Sequence, residues 1–212
     1  MNATTVHEPA TTRSRRSPLP ALAGIGALAA FAGAVVTFTD PLRGARTPAE
    51  VAERLADSSA PLTGLLLAIY AVLAIAVVGR LAARLGRDGD NGAVRATTTL
   101  GALHLLLLTV AYTAPGAAVT VGTQVLDTGV TPTAAETALL IANIGHPLAS
   151  VFGCAFLVAV VLAGRAAKVS RTLLVVSAVF AVGMALPPVG WAVTYLMAFW
   201  FAGVGIWLSL RD

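Results

Sequence analysis

Two histidines, His104 and His146, are the residues of this chain best placed to do chemistry, because each falls inside a long stretch without charge. A neutral imidazole supplies one donor and one acceptor, and it is a common ligand of iron and other metals. Polar groups within an apolar helix are costly and therefore informative. His104 stands nine residues past Arg95, about 13 to 14 Å along a helix. His146 stands ten residues past Glu136, about 15 Å along. Both depths fall near the midplane of a bilayer, on consecutive antiparallel segments that are expected to be neighbours. Thr97, Gly101 and Tyr112 share the helical face of His104, and Asn143, Ser150, Gly153 and Cys154 surround His146. Pro147 follows His146 and frees a carbonyl one turn earlier, near Asn143.

Three chemistries fit that pattern. The histidines can hydrogen-bond across the bundle, with each other or with Tyr112 and Asn143. His104, Tyr112, Asn143, His146 and Ser150 can line a midplane pocket for a small molecule, a lipid or an ion. Or His104 and His146 can act as the two axial ligands of a b-type haem. No catalytic set accompanies them. The middle turns of the apolar segments hold no Asp, Glu, Lys or Arg, and the chain has no phosphate loop, dinucleotide fingerprint, zinc spacing or nucleophile elbow. That argues against a proton-driven pump, a voltage sensor or a carboxylate-dependent enzyme. A binding or transport-accessory role leads, haem-based electron transfer comes second, and a lipid- or isoprenoid-modifying enzyme third.

The elements that must position these residues follow from charge. Of 212 residues, 57% are hydrophobic and 11% charged, with a mean hydropathy of +0.83. A soluble domain carries roughly 25% charged residues, so the expected solvent is the lipid bilayer. Uncharged stretches run over 17–39, 58–79, 96–126, 137–164 and 172–210. One helix of about 20 residues crosses a hydrocarbon core of about 30 Å. The last stretch holds two such helices, with Pro187-Pro188-Val189-Gly190 as the reversal. The expected fold is all-α, a six-span polytopic membrane bundle, with spans near 18–39, 61–82, 95–114, 134–164, 171–187 and 189–210. Residues 115–133 are expected to form a Gly-, Thr- and Val-rich loop, and residues 1–17 a disordered cytoplasmic tail.

The basic residues orient the spans. With both termini inside, eleven (Arg13, Arg15, Arg16, Arg80, Arg84, Arg87, Arg95, Arg165, Lys168, Arg171, Arg211) are cytoplasmic and three (Arg43, Arg46, Arg54) external. This accounts for the basic balance without nucleic acid, since no basic stripe is interleaved with aromatics. Ser14-Arg15-Arg16-Ser17 looks like a signal start, but five more spans follow, so an uncleaved first span is expected. Thr47-Pro48-Ala49-Glu50 reads as a capped surface helix on the outer face, and Thr133-Ala134-Ala135-Glu136 as the start of the fourth span. Gly145, Ala149 and Gly153 form a small-residue stripe suited to close helix packing. Trp191 and Trp207 suit interfacial belts, Tyr195 and Trp200 the helix interior, and Thr39-Asp40-Pro41 a turn.

Alanine-, valine- and leucine-rich spans, arginine favoured over lysine, and the segment from Ala49-Glu50-Val51 to Arg80 give the chain its layout. In these features it resembles uncharacterised small multi-span membrane proteins of high-GC actinobacteria. The resemblance implies a bacterial plasma membrane and carries no functional residue. The partners expected are the bilayer, a hydrophobic small molecule or lipid, and a second copy or another membrane protein.

Overall fold

A computed structural model of the chain describes residues 17–88 and 92–211; the expected tail falls almost wholly outside them. Seven α-helices make up the described chain: α1 Leu19–Thr37, α2 Pro48–Ala56, α3 Ala60–Leu85, α4 Gly92–Thr120, α5 Pro132–Ala166, α6 Arg171–Ala185 and α7 Pro187–Arg211. No strand occurs among the described residues. Five helices are long and apolar enough to cross a membrane, and α6, with 15 residues, is shorter. Their outer faces carry large apolar side chains in the open, Val36 at 85% exposure and Val72, Val151 and Leu22 above 60%. A water-soluble surface does not present apolar area on that scale, so the bundle is built to contact lipid.

Leaving α2 aside, each helix packs on the next in chain order, and α7 closes the ring against α1. The α1–α7 seam is made by glycines. A Cβ on Gly24 would lie 2.8 Å from the Phe201 carbonyl oxygen, so only hydrogen allows that approach. At the same end, the Ala21 amide, one of the unpaired donors of the first turn of α1, is met by Ser209 Oγ of α7 at 2.9 Å. The start of α1 and the end of α7 therefore lie together. α6 and α7 form an antiparallel hairpin that reverses at Leu186. Trp200 Nε1 donates to Ser177 Oγ at 3.1 Å, while a Cβ on Gly183 would touch Val193 and one on Gly190 would meet the Met184 carbonyl. The turn is tighter than expected, because both prolines already belong to α7, where a missing N–H costs nothing.

Three local expectations are corrected. The third span does not give way to a loop after Ala114. α4 runs through Pro115 to Thr120 and ends in a π-helical turn, Val121–Val125. One proline removes one hydrogen bond, and Gly116 then packs against the Ala60 and Pro61 backbone of α3, which holds the extension in place. The cap of α5 is Thr131, whose Oγ1 accepts from the Ala134 amide at 3.3 Å, not Thr133; Pro132 takes the first helical position. α2 begins as expected, with Thr47 Oγ1 accepting from the Glu50 amide, but its apolar face is not laid on lipid. Val51, Ala52 and Leu55 are buried against Val119 and Ala135, so α2 caps the ends of α4 and α5. Thr131→Ala and Thr47→Ala should each lower stability by about 1 kcal/mol, measured by thermal unfolding in detergent.

Candidate functional site

α4 and α5 share the most extensive packing of any helix pair, and the stripe Gly145, Ala149, Gly153 is what brings them together. A Cβ on Gly145 would stand 2.9 Å from the Ala111 Cβ, and one on Gly153 would stand 2.8 Å from His104 Nδ1 and 2.9 Å from Met184 Sδ. His104 fills the space opposite Gly153 and is 0% exposed. Its Nδ1 lies 2.7 Å from the Ala149 carbonyl oxygen. A carbonyl can only accept, so Nδ1 carries the proton. Nε2 is buried with no partner among the described residues.

His146 belongs to a different network. Its Nδ1 is 3.0 Å from the Tyr112 hydroxyl, which in turn bonds the Tyr195 hydroxyl of α7. Two proton arrangements satisfy this row: Tyr112 donates to Nδ1 and accepts from Tyr195, or an Nδ1–H donates to Tyr112, which donates to Tyr195. The rings support the row from its sides, with His146 and Tyr195 at 5.3 Å and Phe31 and Tyr195 at 5.9 Å between centroids. Nε2 of His146 is buried with no hydrogen-bond partner among the described residues. One turn on, Ser150 Oγ and Thr194 Oγ1 are 2.7 Å apart, and Thr194 Oγ1 reaches the Gly190 carbonyl at 3.0 Å. Ser150 Oγ also reaches the His146 carbonyl at 3.3 Å, so two proton arrangements satisfy the pair: Ser150 donates to Thr194 while Thr194 donates to Gly190, or Thr194 donates to Ser150 while Ser150 donates to His146. Asn143 gives its amide group to the Leu139 carbonyl at 2.9 Å, leaving its own oxygen as an acceptor. No hydrogen bond joins it to either histidine among the described residues.

These groups edge a cavity of about 1020 Å³ at the α2 end of the bundle, at the upper limit of usual ligand pockets. Tyr112, Asn143, His146 and Ser150 line it, along with Cys154, Met184 and Trp191, while the segment 38–42 and Leu55 close its outer side. Of the five candidate residues the sequence singles out, four therefore meet at one opening. His104 does not; it is a residue of α4, fully buried against Ala149 and Gly153 of α5, and it is not part of the cavity wall. Thr194, Tyr195 and Trp191 were not among the candidate site residues. Their signal was the helical spacing Gly190, Trp191, Thr194, Tyr195, which sets them on one face of α7.

An axial pair for haem needs both imidazoles facing one slot. His104 has the tautomer of a good ligand, with Nδ1 on a backbone carbonyl, but the cavity that His146 lines does not extend to it. As arranged, the pair does not form a haem site. Among the described residues, no group of three or more His, Cys, Asp or Glu stands close enough to hold a metal. The chain matches no protein-family model, and neither the curated proteins nor the solved structures supply a match.

Proposed function

We propose that the chain is a six-span protein of a bacterial plasma membrane, with both termini in the cytoplasm, that binds an amphiphilic small molecule or lipid as a binding or transport-accessory component. The cavity carries this reading. It has apolar walls long enough for an acyl or ring body, and one polar edge made by Tyr112, Asn143, His146 and Ser150. A polar edge in an apolar cavity fixes the orientation of a ligand while burial supplies affinity.

Six crossings are supported by parity. The bond from Ala21 to Ser209 brings the start of α1 to the end of α7, which needs an even number of passes. α6 is about 22 Å long, short for a span, but it lies antiparallel to α7 and so shares its apolar layer. The basic residues then put the cavity in the outer half. In a Cys154→Ala background, single cysteines near Arg87 and Lys168 should react only from inside, and those near Glu50 and Gly122 only from outside. An external Lys168 would overturn the six-span reading.

Binding is tested in nanodiscs of zwitterionic lipid with a chain-brominated twelve-carbon alcohol, which quenches tryptophan on contact. Quenching should saturate, with Trp191 on the cavity wall reporting. Ala142→Phe, which adds a ring inside the cavity, should weaken binding at least tenfold. Quenching that never saturates would contradict the binding role. The purified protein should show no Soret band, and a stoichiometric one would replace this reading with electron transfer.

A further inference from the structure

We infer that the amphiphile taken by the cavity carries a cationic head, an ammonium group, held at the mouth by Asp40 and the aromatic faces of Phe38, Tyr112 and Trp191. This rests on the binding role proposed above and specifies its ligand. Among the residues that line the cavity, Asp40 is the one with a charge, and no Lys or Arg lines it. That asymmetry is not a shortage of basic residues nearby, since Arg43, Arg46 and Arg54 belong to the same connecting segment. Arg54 is committed elsewhere, its guanidinium donating to the Arg43 carbonyl.

Asp40 is fixed rather than loose. Its Oδ1 accepts from the Leu42 amide at 3.0 Å, which turns the chain after α1 and aims the segment over the opening. It makes no ion pair among the described residues. An uncompensated carboxylate over an apolar cavity makes the mouth negative, and low-dielectric walls focus that field. Phe38, Tyr112 and Trp191 line the same cavity and can add to it, because a ring face turned to an ammonium group attracts it through its quadrupole. Asn143 contributes an acceptor oxygen on the same wall. An anionic head would meet Asp40 with no basic residue to offset it, and an uncharged head would gain a hydrogen bond but no Coulomb attraction.

The test compares chain-brominated twelve-carbon probes that differ only in the head: primary amine, alcohol and carboxylate. Each is titrated by tryptophan quenching against the full chain in zwitterionic nanodiscs. Asp40→Asn in the same lipid is the control, because partition into lipid cancels between the two proteins. The asparagine oxygen still accepts from Leu42, so the turn survives. The amine should bind the unaltered chain most tightly and the carboxylate least. Asp40→Asn should weaken the amine about fivefold, the value of one exposed charge pair at contact, and weaken the alcohol less than about twofold, because the asparagine amide still hydrogen-bonds a hydroxyl. The amine advantage should shrink as salt rises from 0.01 to 1 M, as the screening length falls from about 30 to 3 Å. Equal affinity for the three heads, or an amine advantage that survives in Asp40→Asn, would overturn this inference while leaving the cavity a binding site. No saturable quenching by any probe would overturn both.

Discussion

Gly153→Leu should destabilise the bundle by about 3 kcal/mol, the upper part of the range for overpacked cores. The reason is that the flexible Met184 thioether can move aside but the imidazole cannot. The added Cβ would fall 2.8 Å from His104 Nδ1 and 2.9 Å from Met184 Sδ, and the imidazole is already held by the Ala149 carbonyl. Relief would require α4 and α5 to separate, which would also open the Gly145–Ala111 contact. Gly153→Ala should give a smaller loss of the same sign. Ala159 is the obvious comparison by position, but it is only 5% exposed, so a leucine there is not neutral. Val158, at 45% exposure, is the right control, and Val158→Leu should change stability by no more than about 0.5 kcal/mol. Thermal unfolding of all three variants in one detergent decides the matter. Equal midpoints for Gly153→Leu and Val158→Leu would mean that the helices do not approach closely there.

The second large effect is at His104. His104→Ala removes a fully buried side chain and its bond to the Ala149 carbonyl, and leaves a void in a packed seam. A loss of about 2 to 4 kcal/mol follows from comparable buried truncations. His146→Ala should cost less, near 1 kcal/mol, because its ring borders a cavity already present and membrane hydrogen bonds average about 0.6 kcal/mol. The sequence alone suggests that the two histidines act as one unit. Their separate partners lead to the opposite expectation: the double variant should equal the sum of the singles within about 0.5 kcal/mol. Coupling should appear instead between His146→Ala and Tyr112→Phe, which cut the same row of bonds. A coupling energy above about 1 kcal/mol between His104 and His146 would show that they share a site after all.

The pair comes apart because depth counted from Arg95 and Glu136 treats both residues as marks of the membrane surface. α5 has 35 residues, about 52 Å, far more than a hydrocarbon core needs. Glu136 therefore does not mark a fixed depth, and His146 lies toward the α2 end, while His104 sits level with Ala149 and Gly153. Charge spacing revealed that apolar helices exist and roughly where each lies, because lipid penalises charge residue by residue. The stripe Gly145, Ala149, Gly153 was equally legible, since small residues at four-residue spacing have few other uses. What was not legible depends on contacts distant in sequence. The bond from Tyr112 to Tyr195 spans 83 residues, and nothing local to either residue announces it. The extension of α4 past Pro115 likewise depends on Gly116 meeting the start of α3. The Thr131 cap is a local signal with a close rival: Thr131-Pro132 competes with Thr133-Ala134, and proline at the first helical position wins.

An amphiphile in the cavity beside His146 and Ser150 would shield the chain's own single cysteine. Cys154 is a free, half-buried thiol on the cavity wall. In zwitterionic nanodiscs, N-ethylmaleimide should modify Cys154, and the twelve-carbon alcohol, which does not itself react with the maleimide, should slow that reaction saturably, with Ala142→Phe abolishing the protection. A modification rate that the alcohol leaves unchanged at every concentration would show that nothing occupies the cavity.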